Sequence, residues 1–322
     1  MSERDASRPK VCFVAPAFNE AENIRPFHEA VVEAMAALPN AWEIVLVDDG
    51  SSDATLATAH ALSAEDPRVR VVALSRNFGK EAALTAGLDH AGGDVVVPID
   101  VDLQDPPELV ADMLQEWAKG ADVVYATRTE RHGESFLKKA SAAGFYRLMG
   151  ATSRVPIPPN AGDFRLIDRR VVDTLGELKE TRRFMKGLFA WVGYNQVSLP
   201  FERPARRHGS SKWAYWKLWN FAIEGITSFS IAPLQLAMYF GFMVSFAAFA
   251  YAGYIVVRTM LFGVDVPGFP SVFVAILFFG GVQLISIGIL GEYIGRIYDE
   301  VKHRPTYIVK DRRGFDDGED KG

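Results

Sequence analysis

The chain has 322 residues, a formal net charge of −5 and a single cysteine, Cys12. Nucleic-acid binding usually requires a broad basic face, so nucleic acid is not expected as a partner. One cysteine excludes an internal disulfide framework and a multi-cysteine zinc site. The N-terminal segment has no apolar stretch of the kind found in secretory signals, so the N-terminal domain is expected in the cytoplasm.

Strands and helices alternate in the first half of the chain. Short runs rich in Val and Ile predict strands at Val11–Ala15, Glu43–Val47, Val69–Leu74, Val95–Ile99 and Val123–Ala126. Helical patterns lie between them near Glu22–Leu38, Ala54–Ser63, Lys80–His90 and Pro107–Lys119. Strands buried on both faces form near-continuous apolar runs, and helices of this length connect parallel strands. The sequence therefore predicts an α/β domain with a mostly parallel sheet, which we assign to residues 1–212.

Polar and charged residues follow each of the five predicted strands. Ligands of open α/β sheets bind beyond the carboxyl ends of the strands, so these residues are candidates for a site. Asp, Asn and Ser also cap helices, which would explain one such end, but five in succession favour a site. The candidates at these ends are Pro16, Asn19, Glu20, Asp48, Asp49, Arg76, Lys80, Asp100, Asp102, Gln104 and Arg128.

An Asp-x-Asp motif, Asp100 and Asp102, comes directly after the fourth predicted strand. Mg²⁺ and Mn²⁺ prefer oxygen ligands and commonly connect one or two carboxylates to a substrate diphosphate. Gln104 adds a neutral oxygen two residues further on. An isolated Asp-x-Asp motif is frequent in loops, but the preceding strand and the following Gln-Asp-Pro-Pro sequence favour a divalent-metal site. The predicted ligands are Asp100, Asp102 and Gln104.

The residues after the first three strands suit a nucleotide sugar. Asp48 and Asp49 can hydrogen bond to a ribose or a base edge, although residues 51–53 also include candidates for the next helix cap. Arg76 and Lys80 can offset diphosphate charge, and Lys80 also fits a solvated helix start. Residues 16–20 would flank the base or the ribose. The predicted nucleotide-sugar-binding residues are Pro16, Asn19, Glu20, Asp48, Asp49, Arg76, Lys80 and Asp100.

Two uncharged stretches, Gly225–Val257 and Val266–Gly291, dominate the last third of the chain. Each exceeds the ~20 apolar residues that cross the hydrocarbon core of a bilayer. We therefore predict two transmembrane helices within residues 230–297, at about 232–257 and 270–294, rather than two buried core helices. Residues 213–229 are rich in Trp and are expected to form an amphipathic helix at the membrane interface. Residues 298–322 are assigned to a C-terminal tail.

Basic residues lie outside the two predicted spans, and the connector carries only Arg258 and Asp265. The positive-inside rule then places the N-terminal domain and both termini in the cytoplasm and the connector outside. The flanking cations are Arg203, Arg206, Arg207, Lys212 and Lys217 before the spans, and Arg296, Lys302, Arg304, Lys310, Arg312 and Arg313 after them.

The order of the motifs P-A-F-N-E, V-D-D-G-S-S-D, S-R-N-F-G-K-E and D-V-D-L-Q-D-P-P resembles that of family 2 glycosyltransferases with the GT-A fold. The chain is most similar to the bactoprenol glucosyltransferases and more distantly similar to dolichol-phosphate mannosyltransferase. The resemblance covers nearly the whole chain, including A-G-D-F-R-L-I-D-R at 161–169 and R-R-H-G-S-S-K-W at 206–213. It departs from the common D-A-D motif at Val101, whose side chain is expected to point away from the metal.

The resemblance implies a metal-dependent transfer of glucose from UDP-glucose to polyprenyl (undecaprenyl) phosphate in the inner membrane, by a homotetramer. It places Asp163 beside the acceptor, as a base or an orienting group. Arg128 and Arg206 are the other predicted catalytic residues, although such cations also bind anionic lipid headgroups. The residues predicted to bind the lipid phosphate are Arg128, Lys138, Lys139, Arg206, Ser211 and Lys212.

Two other readings are compatible with parts of this pattern. A processive polysaccharide synthase would share the metal motif, but the chain lacks a Gln-x-x-Arg-Trp element and has too few predicted spans. A non-catalytic membrane scaffold or a lipid-sugar flippase is the second alternative, and spans without an internal charge provide little basis for a transport path. The retained acidic and basic motifs favour an enzyme.

Overall fold

The computed structural model describes residues 8–128, 161–178, 180, 183–201, 232–263 and 268–315. All five predicted strands are present: β1 Val11–Ala17, β2 Trp42–Asp48, β3 Val69–Leu74, β4 Val95–Pro98 and β5 Val123–Arg128. β1, β2 and β5 continue into the predicted strand-end motifs, so that Pro16, Asp48 and Arg128 are strand residues.

Three further strands complete the sheet within the described residues: β6 Ala161–Asp168, β7 Gln196–Phe201 and β8 Val309–Arg313. The sequence did not predict them, because β6 and β8 carry charges at several positions and β7 contains a proline. The strand order is β7-β5-β6-β4-β1-β2-β3-β8. Neighbouring strands are parallel from β4 through β1 and β2 to β3, and again between β5 and β7. β6 and β8 run antiparallel to their neighbours, so the prediction of a mostly parallel sheet is confirmed.

Helices cover both faces of the sheet. Phe13 faces α1, α2 and α4, whereas its neighbours Cys12 and Val14 face α3, α5 and α6, as the two-residue period of a strand requires. α3 lies so close to β1 that a Cβ at Gly87 would approach Val14 Cγ1 to 2.2 Å. The helix bounds are α1 Ala21–Ala36, α2 Thr55–Glu65, α3 Lys80–Asp89, α4 Val110–Ala118 after a 3₁₀ turn at Pro107–Leu109, α5 Arg169–Glu177 and α6 Met185–Trp191.

Two long helices, α7 Ala232–Phe262 and α8 Phe269–Val301, pack against each other near the C-terminus. Both are longer than the predicted spans, which ended near residues 257 and 294. Near the C-terminal end of α8, Glu292 and Arg296 form an ion pair with N and O atoms 2.9 Å apart. Large apolar side chains stand exposed on both helices, among them Phe242 (73%) and Leu284 (72%). In the described part of the chain, Phe278–Val301 has the length and composition of a membrane span.

The chain returns from α8 to the sheet. β8 pairs with β3 at the sheet edge, and Ile308 O accepts a hydrogen bond from Ser75 N at 2.9 Å. Tyr307 Oη donates to Asp89 at the end of α3, at 2.8 Å. The segment assigned to a tail therefore contains an ordered strand that ties the long helices to the sheet.

Candidate active site

The carboxyl ends of the strands that carry the motifs meet at one edge of the sheet. β6 runs the opposite way, so its first residues, not its last, reach the same edge. Its register with β4 pairs Val95 with Asp168 and Val96 with Ile167. If this register is extended beyond the two pairs, Asp100 comes level with Asp163. Strand pairing thus brings residues that are far apart in the sequence to the same edge of the sheet.

Lys80, the first residue of α3, connects these two acids. Its Nζ lies 2.8 Å from Asp100 and 2.8 Å from Asp163. Lys186 Nζ approaches the other oxygen of Asp163 at 3.8 Å. We refer to Lys80, Glu81, Asp100, Asp163 and Lys186 as the charged cluster.

The electrostatics of the charged cluster keep Asp163 ionised. Desolvation opposes its charge, but Lys80 and Lys186 outweigh this effect and lower the pKa of Asp163 to about 2. Desolvation likewise opposes the charge of Lys80, and the carboxylates of Asp100 and Asp163 nevertheless raise the pKa of Lys80 above its usual value. The side chain of Lys80 is 45% exposed, so solvent weakens these pairs relative to buried ones. Basic and acidic side chains therefore alternate in space, in the order Asp100, Lys80, Asp163 and Lys186.

Glu81 differs from Asp163 in that the pKa of its carboxyl group is raised and not lowered. Desolvation, followed by repulsion from Asp163, raises the pKa of Glu81 to about 7. Its Oε2 accepts a hydrogen bond from Met185 N at 3.2 Å. Glu81 thereby connects the start of α3 to the start of α6, which carries Lys186.

The loops after β1, β2 and β3 form a second group, residues 18–20, 49–54 and 75–79, which we call the loop cluster. Asp49 is 3% exposed, and its two oxygens accept hydrogen bonds from Phe78 N (2.7 Å) and Gly79 N (2.9 Å). Gly50 has φ +68°, and a Cβ there would lie 2.3 Å from the carbonyl carbon of Arg76. The loops after β2 and β3 therefore pack backbone against backbone, and Asp49 holds them together.

Asn19 connects the loops after β1 and β2. It has a left-handed backbone with φ 55°, which Asn tolerates better than most residues. Its Oδ1 accepts from Ser52 N at 2.9 Å, and its own N–H donates to Ser51 Oγ at 3.0 Å. Asp48 is 3% exposed and makes longer contacts to Ser51 N, at 3.3 and 3.4 Å. The predicted nucleotide residues Asn19 and Asp49 thus shape these loops through backbone contacts.

The residues after β4 fit a divalent cation. Among the described residues, Asp102 Oδ1 accepts one backbone hydrogen bond, from Gln104 N at 3.2 Å. Leu103, which lies between them, has a left-handed backbone with φ 55°. The Lys80 ammonium on Asp100 shows that this strand end attracts a cation. Gln104 is 4% exposed, and its Nε2 has no partner among the described residues; rotation of the amide would present an oxygen there.

The described residues contain no group of three or more His, Cys, Asp or Glu with metal-binding geometry. Two carboxylates are the protein contribution expected when a substrate diphosphate supplies further ligands. The donor set is therefore suited to a metal that binds together with its substrate.

Several predicted acceptor residues lie outside the described part of the chain. These are Lys138, Lys139, Arg206, Ser211 and Lys212, together with the predicted interface helix 213–229. Arg128 ends β5 and pairs in register with Phe201 of β7. Its backbone belongs to the edge of the sheet at which the motifs meet.

Three residues near the site were not singled out from the sequence. Lys186 and Glu81 belong to the charged cluster, and Arg165 lies beneath it, 3% exposed, with its guanidinium 3.9 Å from the ring centroid of Phe189. Burial lowers the pKa of Arg165 to about 10. Glu81 is part of the S-R-N-F-G-K-E motif and Arg165 is part of the A-G-D-F-R-L-I-D-R motif, so both could have been found there, whereas nothing local to Lys186 indicates its position.

Two family models match the chain. Residues 12–176 match the model described as "Glycosyl transferase family 2", and residues 232–297 match the "GtrB C-terminal hairpin". The first match includes the loop cluster and four of the five residues of the charged cluster, while the second covers α7 and most of α8.

Similar proteins cover nearly the full length. An uncharacterized glycosyltransferase of Synechocystis sp. is 49% identical over 95% of this chain and 96% of its own length. The bactoprenol glucosyl transferase of Shigella phage SfV is 49% identical over 94% and 99%, respectively. A prophage bactoprenol glucosyl transferase homolog of Escherichia coli is 47% identical over 94% and 98%. Among solved structures, a mannosyltransferase from Pyrobaculum calidifontis is 16% identical over 91% of this chain and 88% of its own, with a TM-score of 0.48.

Proposed function

The chain belongs to glycosyl transferase family 2, and from this premise we propose that it transfers glucose from UDP-glucose to a polyprenyl phosphate. The similarity to bactoprenol glucosyl transferases along almost the entire chain supports both the sugar and the lipid acceptor. A hydrophobic hairpin next to the sheet domain would also hold that domain at the membrane surface, where the phosphate of a lipid acceptor lies.

The juxtaposition of Asp100 and Asp163 through Lys80 is the observation that carries this proposal. Asp100 lies on the metal side of the site, next to the predicted position of the diphosphate, and Asp163 lies on the predicted acceptor side. Lys80 is within hydrogen-bond distance of both, so it can interact with the leaving diphosphate and with an incoming anion. Cations placed where negative charge develops are among the largest contributions to catalysis.

A phosphate monoester does not need a strong general base to become a nucleophile. Its second pKa is about 6, so it is largely a dianion at neutral pH. The chain has to bind and orient it, and to stabilise the departing diphosphate. A divalent cation held by Asp100, Asp102 and Gln104 would supply Lewis-acid stabilisation of that leaving group. A single displacement by a preformed anion inverts the configuration at the anomeric carbon.

We further propose that α7 and α8 both cross the cytoplasmic membrane, with the sheet domain and both termini inside. The exposed apolar side chains of both helices and the basic residues on their outer flanks support this orientation. The polyprenyl tail then stays in the bilayer while its phosphate enters the site. The homotetramer suggested by the resemblance is tested by light scattering of the detergent-solubilised protein.

A label-transfer assay tests the proposed function. Purified full-length protein in detergent is incubated with undecaprenyl phosphate and radiolabelled nucleotide sugars that differ in base and in sugar. Parallel samples contain Mg²⁺, Mn²⁺ or a chelator. We expect label in the lipid phase from UDP-glucose with either metal, and loss of transfer with the chelator.

Asp102→Ala is the matched variant for this assay, because Asp102 is predicted to bind the metal and, among the described residues, its side chain accepts a hydrogen bond only from the nearby loop residue Gln104. We expect transfer by this variant to fall about 100-fold or more while its thermal unfolding stays close to that of the wild type. Transfer from another nucleotide sugar would show that the donor is not UDP-glucose. Absence of lipid label from every donor, by a protein that remains folded, would overturn the proposed reaction.

A further inference from the structure

Lys186 occupies a defined place beside Asp163, although it comes from a different part of the chain. It is the second residue of α6, whose apolar residues Met185, Leu188 and Phe189 are buried against the sheet. Burial of these side chains removes apolar surface from water, which fixes α6 against the sheet. Glu81 additionally accepts a hydrogen bond from Met185 N at 3.2 Å.

The residues before α6 are fixed as well. Arg183 donates hydrogen bonds to Leu175 O at 3.0 Å and to Thr85 Oγ1 at 3.3 Å. These contacts tie the start of α6 to α5 and to α3, the helix that begins with Lys80. Lys80 and Lys186 are therefore held on elements that are packed against each other.

Asp163 lies between the two ammonium groups. Lys80 Nζ is 2.8 Å from Oδ2, whereas Lys186 Nζ is 3.8 Å from Oδ1. The longer distance is outside the range of a hydrogen bond, so the attraction of Lys186 to that oxygen is Coulombic only. An ammonium has three donors, and the Lys186 side chain is 30% exposed. It can therefore donate hydrogen bonds to an anion that enters the site.

The order of the strands decides which substrate would meet Lys186. β6, which carries Asp163, lies on the side of β4 opposite to β1 and β2. The nucleotide is proposed at the loop cluster, beyond β1 and β2, and the diphosphate at the end of β4. An inverting displacement requires the attacking phosphate on the face of the sugar opposite to the diphosphate. The acceptor phosphate must then arrive from the side of β6.

We propose that Lys186 binds the phosphate of the polyprenyl acceptor and that Asp163 is the positioning residue that holds Lys186 and Lys80 around it. This inference rests on the proposed function, which supplies the acceptor. It assigns to Asp163 the orientation of two cations and not the removal of a proton.

The protonation states agree with these roles. Lys80 and Lys186 lower the pKa of Asp163 to about 2, so its carboxylate is a very weak base at neutral pH. The acceptor phosphate has a second pKa of about 6 and arrives mostly deprotonated. No proton has to move when the new C–O bond forms and the bond to the diphosphate breaks, since the electron pair leaves with the diphosphate.

Steady-state kinetics of Lys186→Gln test the proposal. At saturating nucleotide sugar, we expect KM for the polyprenyl phosphate to rise about 10-fold or more, as for the loss of one hydrogen bond between charged groups. KM for the nucleotide sugar should change by less than about 2-fold, because Lys186 lies on the other side of β4 from the loop cluster. Lys186→Arg should restore most of the acceptor affinity because it keeps the charge.

Lys119→Gln is the matched control. Lys119 is 67% exposed and pairs with Glu116 three residues away, so its loss should leave both KM values unchanged. A Lys186→Gln variant that retains the wild-type unfolding temperature and the wild-type KM for the acceptor would overturn the proposal. An effect confined to the nucleotide sugar would also overturn it.

Binding of farnesyl phosphate, measured by titration calorimetry without any nucleotide sugar, separates this inference from the proposed function. We expect Lys186→Gln to weaken binding about 10-fold relative to the wild type and to Lys119→Gln. Equal binding by all three proteins refutes a role of Lys186 in phosphate binding. If the wild type binds the lipid phosphate through Lys186 but transfers no sugar, the proposed transfer reaction is refuted while phosphate binding by Lys186 is supported.

Discussion

The loop cluster and the charged cluster lie at the same edge of the sheet but are held together by different forces. In the loop cluster, Asp49 and Asn19 accept hydrogen bonds from backbone N–H groups of neighbouring loops. In the charged cluster, side chains from α3, β6, α6 and the end of β4 are joined mainly by ion pairs. Backbone contacts fix a shape, whereas ion pairs respond to pH, salt and incoming charges.

This difference fits the two substrates proposed for the site. A nucleotide binds well to a preformed set of loops, because little conformational entropy is lost on binding. An anionic phosphate can instead exchange with carboxylates for the same ammonium groups. The expected effects below separate the two clusters, and they run from the largest to the smallest.

Lys80→Met should have the largest effect, because it removes the cation shared by Asp100 and Asp163. We expect the rate of label transfer to fall about 1,000-fold, the upper range for one lost electrostatic contact to a developing charge. The side chain is 45% exposed, so the fold should persist. Lys119→Met is the control and should retain wild-type transfer. A rate for Lys80→Met within about 10-fold of the wild type would show that Lys80 does not act on the reacting groups.

Gly50→Ala should damage the loop cluster. The new Cβ would lie 2.3 Å from the carbonyl carbon of Arg76, and φ +68° disfavours any side chain. We expect a loss of about 3 kcal/mol in the free energy of unfolding, measured with denaturant, and weaker binding of the nucleotide sugar. At Gly176 in α5 no atom lies within 4 Å of the added Cβ, so Gly176→Ala should be neutral or stabilise by up to about 1 kcal/mol. Similar losses for both variants would contradict the close packing of the two loops.

Glu81→Gln should affect the pH dependence of stability through the charged cluster. The pKa of Glu81 is raised from 4.5 to about 7, with Asp163, Lys80 and Lys186 as its charged neighbours. The folded chain thus binds more protons than the unfolded chain between these values, and stability falls as pH rises through them.

Between pH 5 and pH 8, ionisation of Glu81 should cost the wild type about 2 kcal/mol of its free energy of unfolding, as measured with denaturant. Glu81→Gln should not show this part of the decrease. The control Glu116→Gln, on α4, should follow the pH curve of the wild type. If the Glu81→Gln curve also superimposes on the wild type, the carboxyl group of Glu81 is not protonated in the fold.

Tyr307→Phe should have the smallest effect, because Tyr307 lies outside both clusters. It removes the hydrogen bond of 2.8 Å from the hydroxyl group to Asp89 and leaves the ring in place. We expect a loss of about 1 kcal/mol in the free energy of unfolding, with kcat unchanged. A large fall in kcat would instead indicate that the contact of the C-terminal segment with α3 controls Lys80 at the other end of that helix.

The sequence determined the parallel part of the sheet and the place of its motifs. Continuous apolar runs such as Val11–Ala15 indicate burial on both faces, and burial on both faces requires helices on each side. Since strand ends of such a sheet share one edge, Asp48 and Asp100 could be assigned to a common site without any structure. The order of the motifs also indicated the family, which the full-length relatives confirm.

Only the tertiary structure decided how β6 and α6 complete the site. The antiparallel insertion of β6 between β4 and β5 brings Asp163 level with Asp100, and the burial of α6 brings Lys186 to Asp163. Likewise, β8 reaches β3 from beyond the long helices. Local periodicity reports whether a residue is buried, but the pairing of distant strands and the meeting of distant charges depend on the packing of the whole chain.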